Sequence, residues 1–530
     1  MEATTEQAAA AKIYQSLKNS KEAFYSNHTG GSITEINFVT SVAPIAYFIY
    51  AVLQTKKGFF QADEYSPPLF LIDFALNVAA LLLSITLYSD YAIHFSLLLI
   101  ANVVFLYWTP GASPAPKHRK PPQKGNSEDA TAEPTTEKAK LAAYLPKKAF
   151  ITAWRGGMMI VTCLAILAVD FPVFPRRFAK VETWGQSLMD LGVGSFVFAN
   201  GAATARSILR DAYLGQTAPL LTRLKRSVRS SIALLTLGFV RLALTKTAEY
   251  HEHITEYGLH WNFFMTLGFL PPFMALFQGI FTKFEFPELL AICVGAGYQL
   301  VLFNYGVQNW VLLAERTNVI NANKEGIASF FGYLAIFLAG QATGMRILPA
   351  ISGKSPKQQQ RTQKKKQTSE PSSAAKTTSS PPSKVPLFKP LLLQAIAWTL
   401  LFQFSDSYKY GMNSQVSRRL ANMPYITWVA AFNCWQLLAF YLIEAVCWGD
   451  PEVVKGGASY EDRSPRLLRA FNRNGLIIFL VANLATGTVN MTMNTIVAKT
   501  PVSMGALFTY SLALSVIAVG LDLKNITIKI

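Results

Sequence analysis

Thirteen mostly apolar stretches, each near twenty residues long, recur along this 530-residue chain and limit its fold more than any other feature. They lie near 36–54, 67–89, 91–108, 149–170, 186–205, 228–245, 259–281, 288–312, 327–349, 387–406, 424–448, 475–496 and 501–522. A bilayer core of about 30 Å takes about 20 apolar residues as an α-helix, which satisfies its backbone groups internally where no water can. Composition agrees, with 51% hydrophobic and only 15% charged residues, against roughly 25% charged in a soluble domain. The chain reads as an all-α polytopic membrane protein of about 13 transmembrane helices, one domain over 1–530. Tyr298, Gln299, Asn304 and Gln308 weaken the eighth stretch, and Pro271-Pro272 predicts a kink in the seventh. No apolar core precedes the first stretch, so the N-terminus does not read as a cleaved signal peptide.

The formal net charge of +18 would suggest nucleic acid in a soluble chain. Here the excess gathers in a few connections and reads as topology, with membrane lipid as the partner and no nucleic acid. Residues 109–148 hold Lys117, Arg119, Lys120, Lys124, Lys147 and Lys148. Residues 206–229 hold Arg206, Arg210, Arg223, Lys225, Arg226 and Arg229, and 346–386 hold the run Lys364-Lys365-Lys366 among others. These are the third, fifth and ninth connections. The sixth, with Glu249, Glu252 and Glu256, is acidic. The positive-inside rule then puts odd connections in the cytosol, the N-terminus in the lumen and the C-terminus in the cytosol. Within this scheme 109–148 reads as a flexible basic cytosolic loop and 352–386 as a disordered one, being rich in Pro, Ser, Thr, Gln and Lys. The four cysteines, Cys163, Cys293, Cys434 and Cys447, lie in apolar stretches without metal-ligand spacing, which excludes a disulfide framework or a structural zinc.

Charges inside spans are costly. The candidates are Asp73, Arg155, Asp170, Asp190, Arg241, Asp406 and Glu444. Arg155, Arg241 and Glu444 lie where snorkelling to water accounts for them. Asp73 is deeper and suits a polar partner on a neighbouring helix. Around Asp170 the pattern changes. An apolar helix ends there, Phe171-Pro172 and Phe174-Pro175 form a stiff turn, Arg176, Arg177, Lys180 and Glu182 follow, and the next helix opens with Asp190 and carries Gly192, Gly194 and Asn200. Asp170 and Lys180, ten residues apart across this turn, suit either a base with an electrostatic partner or a structural salt bridge. A second element, Gly30-Gly31-Ser32-Ile33-Thr34-Glu35-Ile36-Asn37, precedes the first span. Ser32 or Thr34 can cap that helix with Glu35 in its first turn, or the segment can contact a ligand. The topology puts both elements on one, non-cytosolic side.

Absences narrow the chemistry. His251, His253 and His260 do not form H-E-x-x-H, so no metal site is expected. Neither a Walker loop nor G-x-S-x-G occurs, which excludes an ATP-driven pump and a serine hydrolase of the usual kind.

GGSITEIN, the run AVDFPVFPRRFAKVETWGQSLMDLGVGSFVFANG, and NRNGLIIFLVANLATGTVNMTMNT followed by PVSMGALFTYS resemble the inositol acyltransferases of GPI-anchor synthesis, the PIG-W family, known in fungi as GPI-anchored wall transfer proteins. The resemblance covers the chain apart from its two low-complexity loops. It implies a thirteen-span endoplasmic reticulum membrane enzyme that moves a fatty acyl group, typically palmitoyl, from acyl-CoA to the inositol 2-hydroxyl of glucosaminyl-phosphatidylinositol. Acyl-CoA is a co-substrate, and no permanently bound cofactor is implied.

Such a transfer needs a base for the attacking hydroxyl and positive charge for the carbonyl oxygen. Asp170 is the candidate base and Lys180 the candidate oxyanion stabiliser. Arg176 and Arg177 are candidate phosphate ligands, and Glu35, Asn37, Asp190 and Asn200 are candidate substrate contacts. The cysteines lack an activating base, so direct transfer is expected. A secondary transporter and a non-catalytic GPI-lipid-handling protein are the alternatives.

Overall fold

The computed structural model describes residues 23–60, 65–109, 137–215, 219–247, 254–281, 287–349, 387–407, 411–449 and 459–528. Among them there is no strand. The long helices are α1 (Ile33–Lys57), α2 (Pro67–Ile85), α3 (Ala92–Trp108), α4 (Ala149–Ala168), α5 (Leu188–Tyr213), α6 (Leu220–Thr247), α7 (Phe263–Phe281), α8 (Glu288–Asn304), α9 (Lys324–Ile347), α10 (Phe388–Asp406), α11 (Met423–Trp448), α12 (Gly475–Thr492) and α13 (Thr500–Leu523).

A long helix thus stands at each of the thirteen apolar stretches. Eight of those described are individually long and apolar enough to cross a membrane, or nine with α8 and its continuation Val307–Leu313, which meet at a 70° bend. Polar residues account for part of the shortfall, and α7 is apolar but short. Arg223, Lys225, Arg226 and Arg229, read from sequence as part of a connection, are the opening turns of α6. Arg and Lys are good helix formers whose stems can lie along apolar surface. Pro271 and Pro272 lie inside α7. The low-complexity segments 110–136 and 352–386 lie outside the described residues. The end of the first loop forms helix Glu137–Tyr144, and Arg206 donates to the carbonyls of Leu145 (2.8 Å) and Pro146 (3.0 Å) just after it.

The centre is α9, buried along nearly its whole length and packed on α5. Gly201 of α5 faces the Phe337 carbonyl, and Gly340 of α9 faces the Phe198 carbonyl, each closer than a Cβ would permit. Small residues at the crossing let two helix backbones meet, as membrane helices need.

Contacts sort the connections into two sets. On one face the segments before α1 and between α2–α3, α4–α5, α6–α7, α8–α9 and α10–α11 touch one another, through pairs such as Arg177–Glu35 (2.6 Å), Arg177–Asp90, Lys180–Glu256 (2.7 Å) and Arg419–Glu325 (3.0 Å). On the other face Glu444, read from sequence as snorkelling, is buried instead. It accepts from the Phe150 N–H at the start of α4 (2.7 Å) and pairs with Arg463 (3.3 Å). A carboxylate at a helix N-terminus meets unpaired N–H groups and the positive dipole end. Asp73, expected to find a polar partner on a neighbouring helix, finds its side-chain partners locally and only a backbone N–H on another helix. It accepts from Tyr65 (2.6 Å), Asn77 (2.8 Å) and the Leu467 N–H (3.0 Å).

Candidate functional site

The first face is built around residues 169–187. Prolines at 172 and 175 restrict the backbone, and Phe171, Phe174 and Phe178 are fully buried, pinning the loop to the core. Turns close at Phe174 N–H to Phe171 O (3.2 Å) and Phe178 N–H to Pro175 O (2.9 Å).

The loop is joined backbone to backbone with the segment before α1. Gly31 N–H donates to Gln186 O (2.8 Å) and Glu182 N–H to His28 O (3.1 Å). Gly30 (φ 82°) and Gly185 (φ 134°) make the approach possible. Both adopt backbone that L side chains disfavour, and a Cβ at either would strike the opposing carbonyl, Gln186 or Thr29. Ser32 caps α1, accepting from the Glu35 N–H (3.1 Å). The two elements singled out in the sequence therefore form one surface.

Asp170, 4% exposed just past the end of α4, accepts from the Tyr25 hydroxyl (3.0 Å) and the Asn490 side-chain amide of α12 (2.8 Å). Lys180 does not pair with it. Lys180 Nζ donates to both oxygens of Glu256 (2.7 and 2.9 Å). Arg418 also reaches Glu256 (3.3 Å) and binds Asp190 through Nε (2.5 Å). Asp190 further accepts from Ser187 Oγ (2.7 Å) and the Val181 N–H (3.1 Å). Burial raises the Glu256 carboxyl, but Lys180 and Arg418 outweigh it and hold the group at about 2.

Arg176 and Arg177 are engaged by the protein itself. Arg176 donates to the carbonyls of Phe171 (3.1 Å) and Phe174 (2.8 Å) and lies over the Phe24 ring. Burial lowers its pKa to about 10, and its Nη1 is buried without an acceptor among the described residues. Arg177 bridges Glu35 and Asp90, joining the α4–α5 loop to the first turn of α1 and to the α2–α3 connection. Asn37 is exposed in the second turn of α1. Asn200, on α5 ten residues from Asp190, is about 15 Å farther along the axis and is not brought into the cluster.

Sequence reasoning missed Glu256 as a site residue, and missed Arg418 and Arg419 altogether. Arg419 binds Glu325 (3.0 Å) and Thr183 (3.3 Å), and Arg316 closes on the same Glu325 (2.6 Å). One signal was available. Arg418-Arg419 sits in the tenth connection, which the charge rule makes non-cytosolic, so two adjacent arginines there call for buried partners.

Comparison with known proteins covers nearly all of the chain. The GWT1 family profile matches residues 17–521. GPI-anchored wall transfer protein 1 of Gibberella zeae is 45% identical, over 97% of this chain and 99% of the relative. Proteins of the same name from Aspergillus fumigatus and Saccharomyces cerevisiae are 42% and 39% identical, over 96% and 97% of this chain and 98% and 99% of theirs.

Proposed function

The chain belongs to the GWT1 family, and from that membership we propose that it is an acyl-CoA-dependent inositol O-acyltransferase of GPI-anchor biosynthesis in the endoplasmic reticulum membrane. It transfers a fatty acyl group, palmitoyl in the simplest case, to the inositol 2-hydroxyl of glucosaminyl-phosphatidylinositol. The observation that carries the reading is Asp170, a buried carboxylate that accepts hydrogen bonds from Tyr25 and Asn490 beside a loop rich in cations.

The inositol oxygen attacks the thioester carbonyl carbon while Asp170 accepts its proton. The carbonyl oxygen becomes an oxyanion beside Lys180. Two N–H groups of Lys180 are held by Glu256, and its side chain is 36% exposed, which leaves the third free to face the oxyanion. Collapse breaks the C–S bond, and the CoA thiolate recovers the proton from Asp170. Arg176 Nη1 offers a donor for a phosphate. Glu35, paired with Arg177, and Asn37 offer polar groups to a substrate at the start of α1, and Asp190 acts through Arg418. Asn200 is left as a contact for the lipid part of a substrate.

The two sets of connections favour thirteen crossings, with this face lumenal and the C-terminus cytosolic. Protease added to sealed microsomes should then cut a tag placed in 352–386 and spare one at Met1.

Purified protein given palmitoyl-CoA and glucosaminyl-phosphatidylinositol should release CoA and yield acylated lipid, with both products lost in Asp170→Asn. Uptake of either lipid without acylation would favour the transporter. Binding without turnover would favour a lipid-handling subunit.

A further inference from the structure

An intramembrane cavity lies below the polar face, between α1, α4, α5 and α11, with about 490 Å³ of empty space, part of it open to the surroundings of the bundle. Two helical glycines open it. A Cβ at Gly192 would meet nothing within 4 Å, and one at Gly157 would make only ordinary contacts with Ala43 and Phe440. The walls are mostly apolar, with Trp154 on one side. Met158, Val161 and Gln436 are partly exposed at its edge, so the space communicates with the surroundings of the bundle.

Two polar groups face each other in this wall. Asn433 is fully buried. Its Nδ2 donates to the Val429 carbonyl (2.8 Å) and to Ser195 Oγ (3.0 Å). A backbone carbonyl only accepts, so the Val429 contact fixes which way the amide points. Asn433 Oδ1 is then left buried without a donor among the described residues. Ser195, 2% exposed, receives the amide, and its own proton has no acceptor among the described residues. An unmet acceptor beside an unmet donor is expensive in an apolar wall. A hydroxyl satisfies both at once, donating to Asn433 Oδ1 and accepting from Ser195.

From this pairing we infer that the cavity is a binding site for a membrane-soluble alcohol, a largely apolar molecule whose hydroxyl is held by Asn433 and Ser195. The inference rests on this pairing and does not depend on the proposed acyl-transfer chemistry. Fatty alcohols, sterols and diacylglycerols share the required group.

The test uses the full chain in phosphatidylcholine nanodiscs, 1-hexadecanol carrying a mid-chain diazirine, and mapping of the photolabel by mass spectrometry. Label is expected on Trp154–Thr162 and Leu188–Ser195. Unlabelled 1-hexadecanol, cholesterol and dioleoylglycerol are competed separately, and the alcohol that displaces the probe at lowest concentration identifies the source. Hexadecane and hexadecyl methyl ether, which cannot donate, should compete about tenfold less well. Asn433→Leu keeps the shape and removes the acceptor, and should weaken probe binding by a similar factor. Gly192→Leu places a side chain in the open space and should abolish labelling with the melting temperature retained. Equal competition by hexadecane, failure of all three alcohols to compete, or full labelling of Gly192→Leu would each overturn the inference.

Discussion

Asp170 and Asp190 close the two ends of one loop, and the protein treats them differently. Both are buried, at 4% and 1% exposure. Asp170 receives a phenol and an amide. Asp190 receives Arg418, a hydroxyl and a backbone N–H, and Arg418 continues through Glu256 to Lys180. A carboxylate locked to a guanidinium is fixed in charge and place. In the proposed reaction, chemistry lies at the α4 end of the loop and architecture at the α5 end.

Breaking the Asp170 end should have the largest effect. Asp170→Asn removes the proton acceptor, and turnover should drop by about 10²–10⁴. Its melting temperature and acyl-CoA affinity should stay near those of the parent, and a stable, donor-binding variant with normal turnover would end the base assignment. At the other end Arg418→Met leaves Asp190 and Glu256 short of their partner. Loss of one member of a buried pair costs about 3–5 kcal/mol, so thermal unfolding should move sharply down. Adding Asp190→Asn should recover part of it, and additive losses in the double variant would show that the two do not act as a pair.

Lys180 links the two ends and sharpens the comparison. Lys180→Ala should lower turnover strongly and Lys180→Arg less, since charge survives with altered geometry. Equal activity in all three proteins would remove Lys180 from the chemistry.

A smaller effect concerns acid stability. The Glu256 carboxyl sits at about 2 in the folded protein against an ordinary value of 4.5. Its ionised form therefore favours folding fully above about pH 4.5, and that contribution is lost as pH falls from 4.5 toward 2. Melting curves of Glu256→Gln should depend less on pH across that window. Parallel curves for variant and parent would refute this. Arg177→Ala should have the smallest effect on stability. Its ion pairs with Glu35 and Asp90 are partly exposed, at 35% for the arginine, 24% for Glu35 and 71% for Asp90, and such pairs contribute about 0–1 kcal/mol.

Much of this was legible beforehand because apolar length and turn chemistry are local. Apolar runs located the long helices of the described residues, eight or nine of them long and apolar enough to cross a membrane, and Phe-Pro pairs marked the stiff loop. The Gly-Gly and Ser32 pattern marked the start of α1. Helix ends were less legible, since Arg223–Arg229 serve equally well as a basic connection or as the charged turns of α6. Glu444 was misread for a related reason. A carboxylate near a span end has the same sequence signature whether it snorkels or caps another helix.

The sequence by itself determined that this chain is helical, embedded in a membrane and built around residues 169–187, because lipid admits few backbone structures and prolines and glycines restrict the rest. Only the tertiary structure decided the partners. It gave Lys180 to Glu256 rather than to Asp170 and brought Asn490 from 320 residues away to Asp170. It also turned Arg418 and Arg419 inward. Pairings between buried charges depend on which loops the packed helices bring together, and that geometry has no local signature in the chain.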